Sequence, residues 1–85
     1  MNQAILFPDR ETWDEERQAL CFPVQVNGMQ LTCAMTRDVL VQRFGDGTPA
    51  FWLAQFRTSR WDAEEEAETL IEEDAFDNQG WLWIS

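Results

Sequence analysis

The sequence predicts an α+β two-layer sandwich, a small antiparallel or mixed sheet of about four strands packed on a short and a long helix. Three observations predict it. Apolar and polar residues alternate from Leu20 to Met35 around a central Asn27-Gly28 pair. A stripe of apolar residues at helical spacing runs from Trp52 to Ile71. After a turn-like "FDNQG", the chain ends on "WLWIS", a short apolar run of strand character. An early hairpin, two helices and a late strand fit one sheet with helices on one face.

The first strand is expected over residues 3–7, where "AILF" meets Pro8. The following "DRETWDEERQ" reads as a polar turn region with Trp13 as its one anchor. The hairpin occupies residues 18–27 and 29–35. Asn-Gly favours a two-residue type I′ turn, in which both residues take positive φ. Such a turn fixes the register. It sets Val26 opposite Met29, Val24 opposite Leu31, Phe22 opposite Cys33 and Leu20 opposite Met35, and every one of these pairs is apolar. Pro23 falls inside the first arm. It has no N–H to give a neighbouring strand, so it should face an edge or a bulge. Cys21 and Cys33 project from opposite faces, which rules out the geometry of a disulfide between them. Two free thiols suit a reducing compartment. Cys33 reads as a small core residue, Cys21 as the more exposed of the two.

Thr36 can cap a short helix over residues 37–44 that stops at Gly45. Thr48 caps the next helix, with Pro49 at its favoured first position. On a helical wheel Trp52, Leu53, Phe56, Ala67, Leu70 and Ile71 all lie within about 80° of Ala63. The stripe keeps its phase throughout, so one long helix is expected over residues 49–73. A kink near Thr58–Ser59 is the alternative, with Ser59 capping a new start. The last strand is placed at residues 81–84.

Composition excludes several kinds of chemistry. The 85 residues contain 16 acids, six bases and no histidine, for a net charge of −10. All six bases are arginines. A chain so acidic repels nucleic acid and anionic membrane surfaces, and neither is expected as a partner. No apolar run approaches the ~20 residues of a membrane span, and "MNQAILFPDR" lacks the form of a signal peptide, so a cytoplasmic protein is expected. Without His or Lys there is no Ser–His or Cys–His pair, no Schiff-base lysine and no imidazole metal site. "FGDGTP" lacks the lysine and spacing of a phosphate-binding loop. No catalytic residue, cofactor or metal is expected.

Two surfaces remain as candidates for work. The first is the acidic side of the long helix, where Glu64, Glu65, Glu68 and Glu72 lie away from the apolar stripe. It would suit a basic protein partner, or serve only for solubility. The second is the last strand. Trp81 and Trp83 share one face and Leu82 and Ile84 the other, yet a two-layer fold covers only one face of its sheet. The tryptophan pair is therefore a candidate homodimer or partner surface, unless "AILF" and Trp13 cover it within the monomer. Arg60 falls on the apolar stripe. It is a candidate structural arginine, its stem on the core edge and its head toward water or an acid. It is also a candidate ligand arginine. Trp61, on the acidic side, is either covered by a loop or exposed for contact.

The stretches "MNQAILFPDRETWDE", "CFPVQVNGMQLTCA", "FRTSRWDAEEEAETLI" and "GWLWIS" together span the chain. On them the sequence resembles the YrdB-like family of small uncharacterised bacterial proteins. More distant relatives share mainly the hairpin and a Phe-x-x-x-Arg pattern, here Phe56 and Arg60. The resemblance implies a small bacterial α+β protein and carries over no functional residue. The leading expectation is a single-domain, non-catalytic accessory or protein-interaction module. The alternative is a small-ligand-binding or catalytic domain with a pocket near Arg60, Trp52 and Trp83.

Overall fold

The structure, a computed structural model, describes residues 4–85. Its elements are β1 (Ile5–Leu6), β2 (Thr12–Asp14), β3 (Ala19–Val26), β4 (Met29–Thr36), α1 (Arg37–Phe44), α2 (Pro49–Thr58), α3 (Arg60–Glu72) and β5 (Trp81–Trp83). The first expected strand is thus shorter, and Gln3 lies outside the described residues. The sheet is mixed. β3 and β4 form its centre, β5 joins β4 in parallel, and β1 and β2 share the other edge of β3, both antiparallel.

The hairpin has the register that its turn dictates: Val26 faces Met29, Val24 faces Leu31, Phe22 faces Cys33 and Leu20 faces Met35. Asn27 and Gly28 take φ of 53° and 86°, the positive values a type I′ turn requires. Asn27 also anchors the first strand. Its Oδ1 accepts from the Ala4 N–H at 3.0 Å, and its own N–H donates to the Ala4 carbonyl at 2.8 Å.

The sheet has five strands rather than about four. β2 arises within the segment read as a polar turn, and it places Trp13 opposite Leu20 with its ring 5.8 Å from that of Trp52. Burial of this one indole offsets the poor strand character of its neighbours. β1 and β2 are in effect one edge interrupted at residues 7–11, where five residues pass three on β3, Phe22, Pro23 and Val24. Pro23 sits at the middle of that gap. In an antiparallel ladder alternate residues bond to alternate neighbours, so Pro23 turns its missing donor toward the interruption, where no strand asks for one.

α1 starts at Thr36, whose Oγ1 accepts from Val39 N–H at 3.4 Å, and ends at Gly45 with φ of 94°. α2 starts at Thr48, whose Oγ1 accepts from Phe51 N–H at 3.2 Å, with Pro49 at its first turn. The single helix expected over residues 49–73 is not formed. It breaks at Ser59, where ψ rises to 22°, and α3 ends at Glu72. Ser59 does not cap α3 with its side chain. Its Oγ donates back to Gln55 O at 3.1 Å, while Thr58 Oγ1 donates to Ala54 O at 3.2 Å. Two successive hydroxyls competing for the carbonyls one turn earlier bend the helix there. The apolar stripe survives the break: Trp52, Phe56, Ala63, Ala67 and Ile71 are all buried.

All three helices pack on one face of the sheet. Leu20, Phe22, Val24, Cys33, Met35, Leu82 and Ile84 from the strands join Leu40, Trp52 and Phe56 from the helices in one core. Among the described residues, the other face has no helix.

Candidate functional site

The uncovered face is built from β3 residues Ala19, Cys21, Pro23 and Gln25 and their β4 partners Thr36, Ala34, Thr32 and Gln30. β5 adds Trp81 beside Thr32 and Trp83 beside Ala34. Side chains alternate along a strand, so Trp81 and Trp83 lie on this face while Leu82 and Ile84 are buried in the core. Ala19, Cys21 and Ala34 are small, and the Trp81 indole packs against them as a cluster of its own. Cys21 is therefore buried at 7% exposure, though still the more exposed of the two thiols, as expected from its face, with Cys33 at 0%. Burial pushes the Cys21 thiol up to about 11 and that of Cys33 up to about 12, so neither ionises near neutral pH.

The two indoles stack, with centroids 5.5 Å apart and planes at 19°. The Arg17 guanidinium lies 4.4 Å from the Trp81 ring centroid. Arg17 is itself held by Asp14 at 3.2 Å. Asp77 organises the other end. Its Oδ1 accepts from the N–H groups of Gln79 and Trp81, both at 2.9 Å, and its Oδ2 accepts from Trp83 Nε1 at 3.1 Å. Its own N–H donates to the Trp81 carbonyl at 2.9 Å. The backbone bond from Trp81, with the others, holds the Asp77 carboxyl below the ordinary carboxylate range. Neither "AILF" nor Trp13 covers the pair, since Trp13 packs against Trp52 on the helical side. Trp83 remains 39% exposed.

A hollow of about 180 Å³ lies on the same face, lined by Arg10, Thr12, Cys21, Phe22, Pro23 and Thr32. It marks the interruption between β1 and β2 above Pro23. Arg10 has no carboxylate partner among the described residues.

The acidic side of α3 is a different surface. Trp61 is 77% exposed, and its Nε1 donates to Glu65 Oε2 at 3.3 Å. Trp61, Glu64, Glu65 and Glu68 line one shallow groove of about 360 Å³. Glu72 is exposed but does not line it. Glu66 turns inward instead, taking two bonds from Arg43 at 2.7 and 2.6 Å and tying α3 to α1. These bonds hold the Glu66 carboxyl below its ordinary range.

Arg60 packs over the Phe56 ring at 4.9 Å, and its head meets Glu11, with Asp9 at 3.5 Å and Glu64 at 3.6 Å. Arg57 Nε donates to the other oxygen of Glu11 at 2.7 Å. Burial tends to raise the Glu11 pKa, but the bonds from Arg57 and Arg60 outweigh it and leave the carboxyl below its ordinary range. Arg60 thus ties the segment between β1 and β2 to the bend between α2 and α3. Trp52 is in the core and Trp83 on the far side of the sheet, so no pocket unites Arg60, Trp52 and Trp83. Sequence reasoning missed Glu11, Arg17 and Asp77. Only Asp77 carried a signal, as a turn residue in "FDNQG" able to bond its own downstream backbone.

Residues 5–84 match the family described as "Protein of unknown function (DUF1488)". The chain belongs to this family. It is 61% identical over 84 residues to the uncharacterised protein YrdB of Escherichia coli K12, covering 99% of each chain. It is 60% identical to the uncharacterised YrdB of Shigella flexneri, again over 99% of each. A crystal structure of a DUF1488 protein of unknown function from Shewanella loihica has the same fold. It superposes with a TM-score of 0.89 at 37% identity, covering 99% of this chain and 94% of that one. The family resemblance and the α+β class read from the sequence are both borne out. Among the described residues, no helix is long and apolar enough to cross a membrane.

Proposed function

We propose that this DUF1488 chain is a non-catalytic accessory module of the cytoplasm that binds another protein, and that a basic partner docks on the α3 groove. The observation that carries this reading is Trp61, 77% exposed on a helix whose neighbouring side chains are Glu64, Glu65 and Glu68. An indole face attracts a guanidinium or ammonium, and adjacent carboxylates complete an ion pair with the same cation. The net charge of −10 steers a basic protein toward the surface over a distance set by ionic strength. The two free thiols support a reducing compartment.

Affinity capture from bacterial lysate at low salt tests it, with wild type, Trp61→Ala and a Glu65/Glu68/Glu72→Gln variant as baits. A basic protein held by wild type should be lost from both variants and released as salt rises. Recovery of the same proteins by all three baits would show that the groove is not the docking surface.

A further inference from the structure

The open sheet face carries an independent inference. Its exposed knob is Trp83, fixed in orientation by Asp77 and by the stack on Trp81. Its hollow, about 180 Å³ above Pro23, lies on the same face across β4. A cavity of about 150 Å³ admits a benzene ring, so the hollow has room for the leading ring of an indole. Arg10 lines the hollow, Arg17 and Asp14 flank Trp81, and Asp77 holds Trp83, two positive and two negative groups. These four charges balance, on a chain of net charge −10. A basic partner has no reason to prefer this face over α3. A second such face does.

We propose that two copies of this chain pair face to face about a two-fold axis, each Trp83 entering the hollow of the other. The pairing is self-complementary, since knob and hollow occur once on each copy and are used twice by one symmetry operation. Arg10 lines the hollow and has no carboxylate partner among the described residues. It meets the incoming indole as Arg17 meets Trp81. Asp77 arrives with that indole and supplies the carboxylate. The arrangement turns the acidic α3 of each copy outward, which keeps the like charges apart and leaves the groove at Trp61 free.

Sedimentation of the full chain over a concentration series reaching roughly 1 mM tests this. The expected result is a mass rising from monomer to twice monomer, with tighter association at higher salt, because screening relieves the repulsion between two chains of −10. Trp83→Ala should weaken the dimer by roughly tenfold or more, as loss of a central aromatic does. Thr12→Arg fills the hollow from an exposed strand position and should do the same, with both variants keeping the wild-type circular dichroism. A monomer mass at every concentration would overturn the proposal. So would a dimer that survives Thr12→Arg, one that dissociates as salt rises, or one lost in the Glu65/Glu68/Glu72→Gln variant instead.

Discussion

The two faces of one hairpin are covered by different means. On one face β3 and β4 present Leu20, Phe22, Val24, Cys33 and Met35, and three helices bury them. On the other the same strands present Ala19, Cys21 and Ala34, and the cover is the Trp81 indole. Large side chains need another layer of structure. Small ones leave room for the sheet to fold its own last strand's side chain back across itself. The difference explains how a chain of 85 residues can leave a sheet face without a helix and still keep a thiol there buried.

The strongest way to break the comparison is at the helical side. Phe22 is 1% exposed and meets the rings of Phe7 and Phe56. Phe22→Ala should lower unfolding free energy by about 3–5 kcal/mol in urea titration, a large fraction of the stability of so small a domain. Overfilling the opposite face should cost less. Ala34→Leu leaves no room for the Trp81 indole and should cost about 1–3 kcal/mol. It should also change the near-ultraviolet circular dichroism, by separating the stacked indoles.

Glu11 tests the seam where the edge segment meets the helices. Glu11→Gln should cost about 1–2 kcal/mol at neutral pH, since it removes the charge facing Arg57 and Arg60. The folded-state pKa of Glu11 lies below the ordinary 4.5. Its stabilisation is therefore complete above that value and is lost as pH falls through the lower, folded-state value. The gap between wild type and variant, followed by urea titration from neutral pH downward, should close over that range and not above it. The smallest effect is expected at the bend. Ser59→Ala removes one competing bond to Gln55 O and restores a better helix former, so stability should change by no more than about 0.5 kcal/mol.

How much of this was legible in the sequence differs along the chain. The hairpin was legible to the residue, because a two-residue turn and two alternations constrain the same register. The helix break was not. Its apolar stripe keeps phase across Ser59, so the usual sign of a new helix is missing, and the cause lies in which carbonyl each hydroxyl chooses. β2 was hidden because three residues with polar neighbours carry little strand signal, and only the packing of Trp13 on Trp52 stabilises them. The open face was half legible. Alternation placed Trp81 and Trp83 together, but the meaning of Ala19, Cys21 and Ala34 as a floor depends on β5 lying beside β4. Of the candidate residues, Trp61, Glu64, Glu65 and Glu68 come together in one groove, while Glu72 stays outside it. Glu11 and Arg17 reach Arg57, Arg60 and Trp81 through long-range contacts that no spacing reveals, whereas Asp77 bonds residues only two to six positions downstream.

The central claim is that the helices cover one face and the Trp81 indole the other. The two cysteines report on it directly, because Cys33 lies on the first face and Cys21 on the second. Thiol titration of native protein with a disulfide reagent at mildly alkaline pH is the measurement, comparing wild type with Trp81→Ala. Wild type should be unreactive until unfolded. In folded Trp81→Ala, Cys21 should react and Cys33 should stay protected. A Cys21 still protected without Trp81, or already reactive with it, would contradict the account.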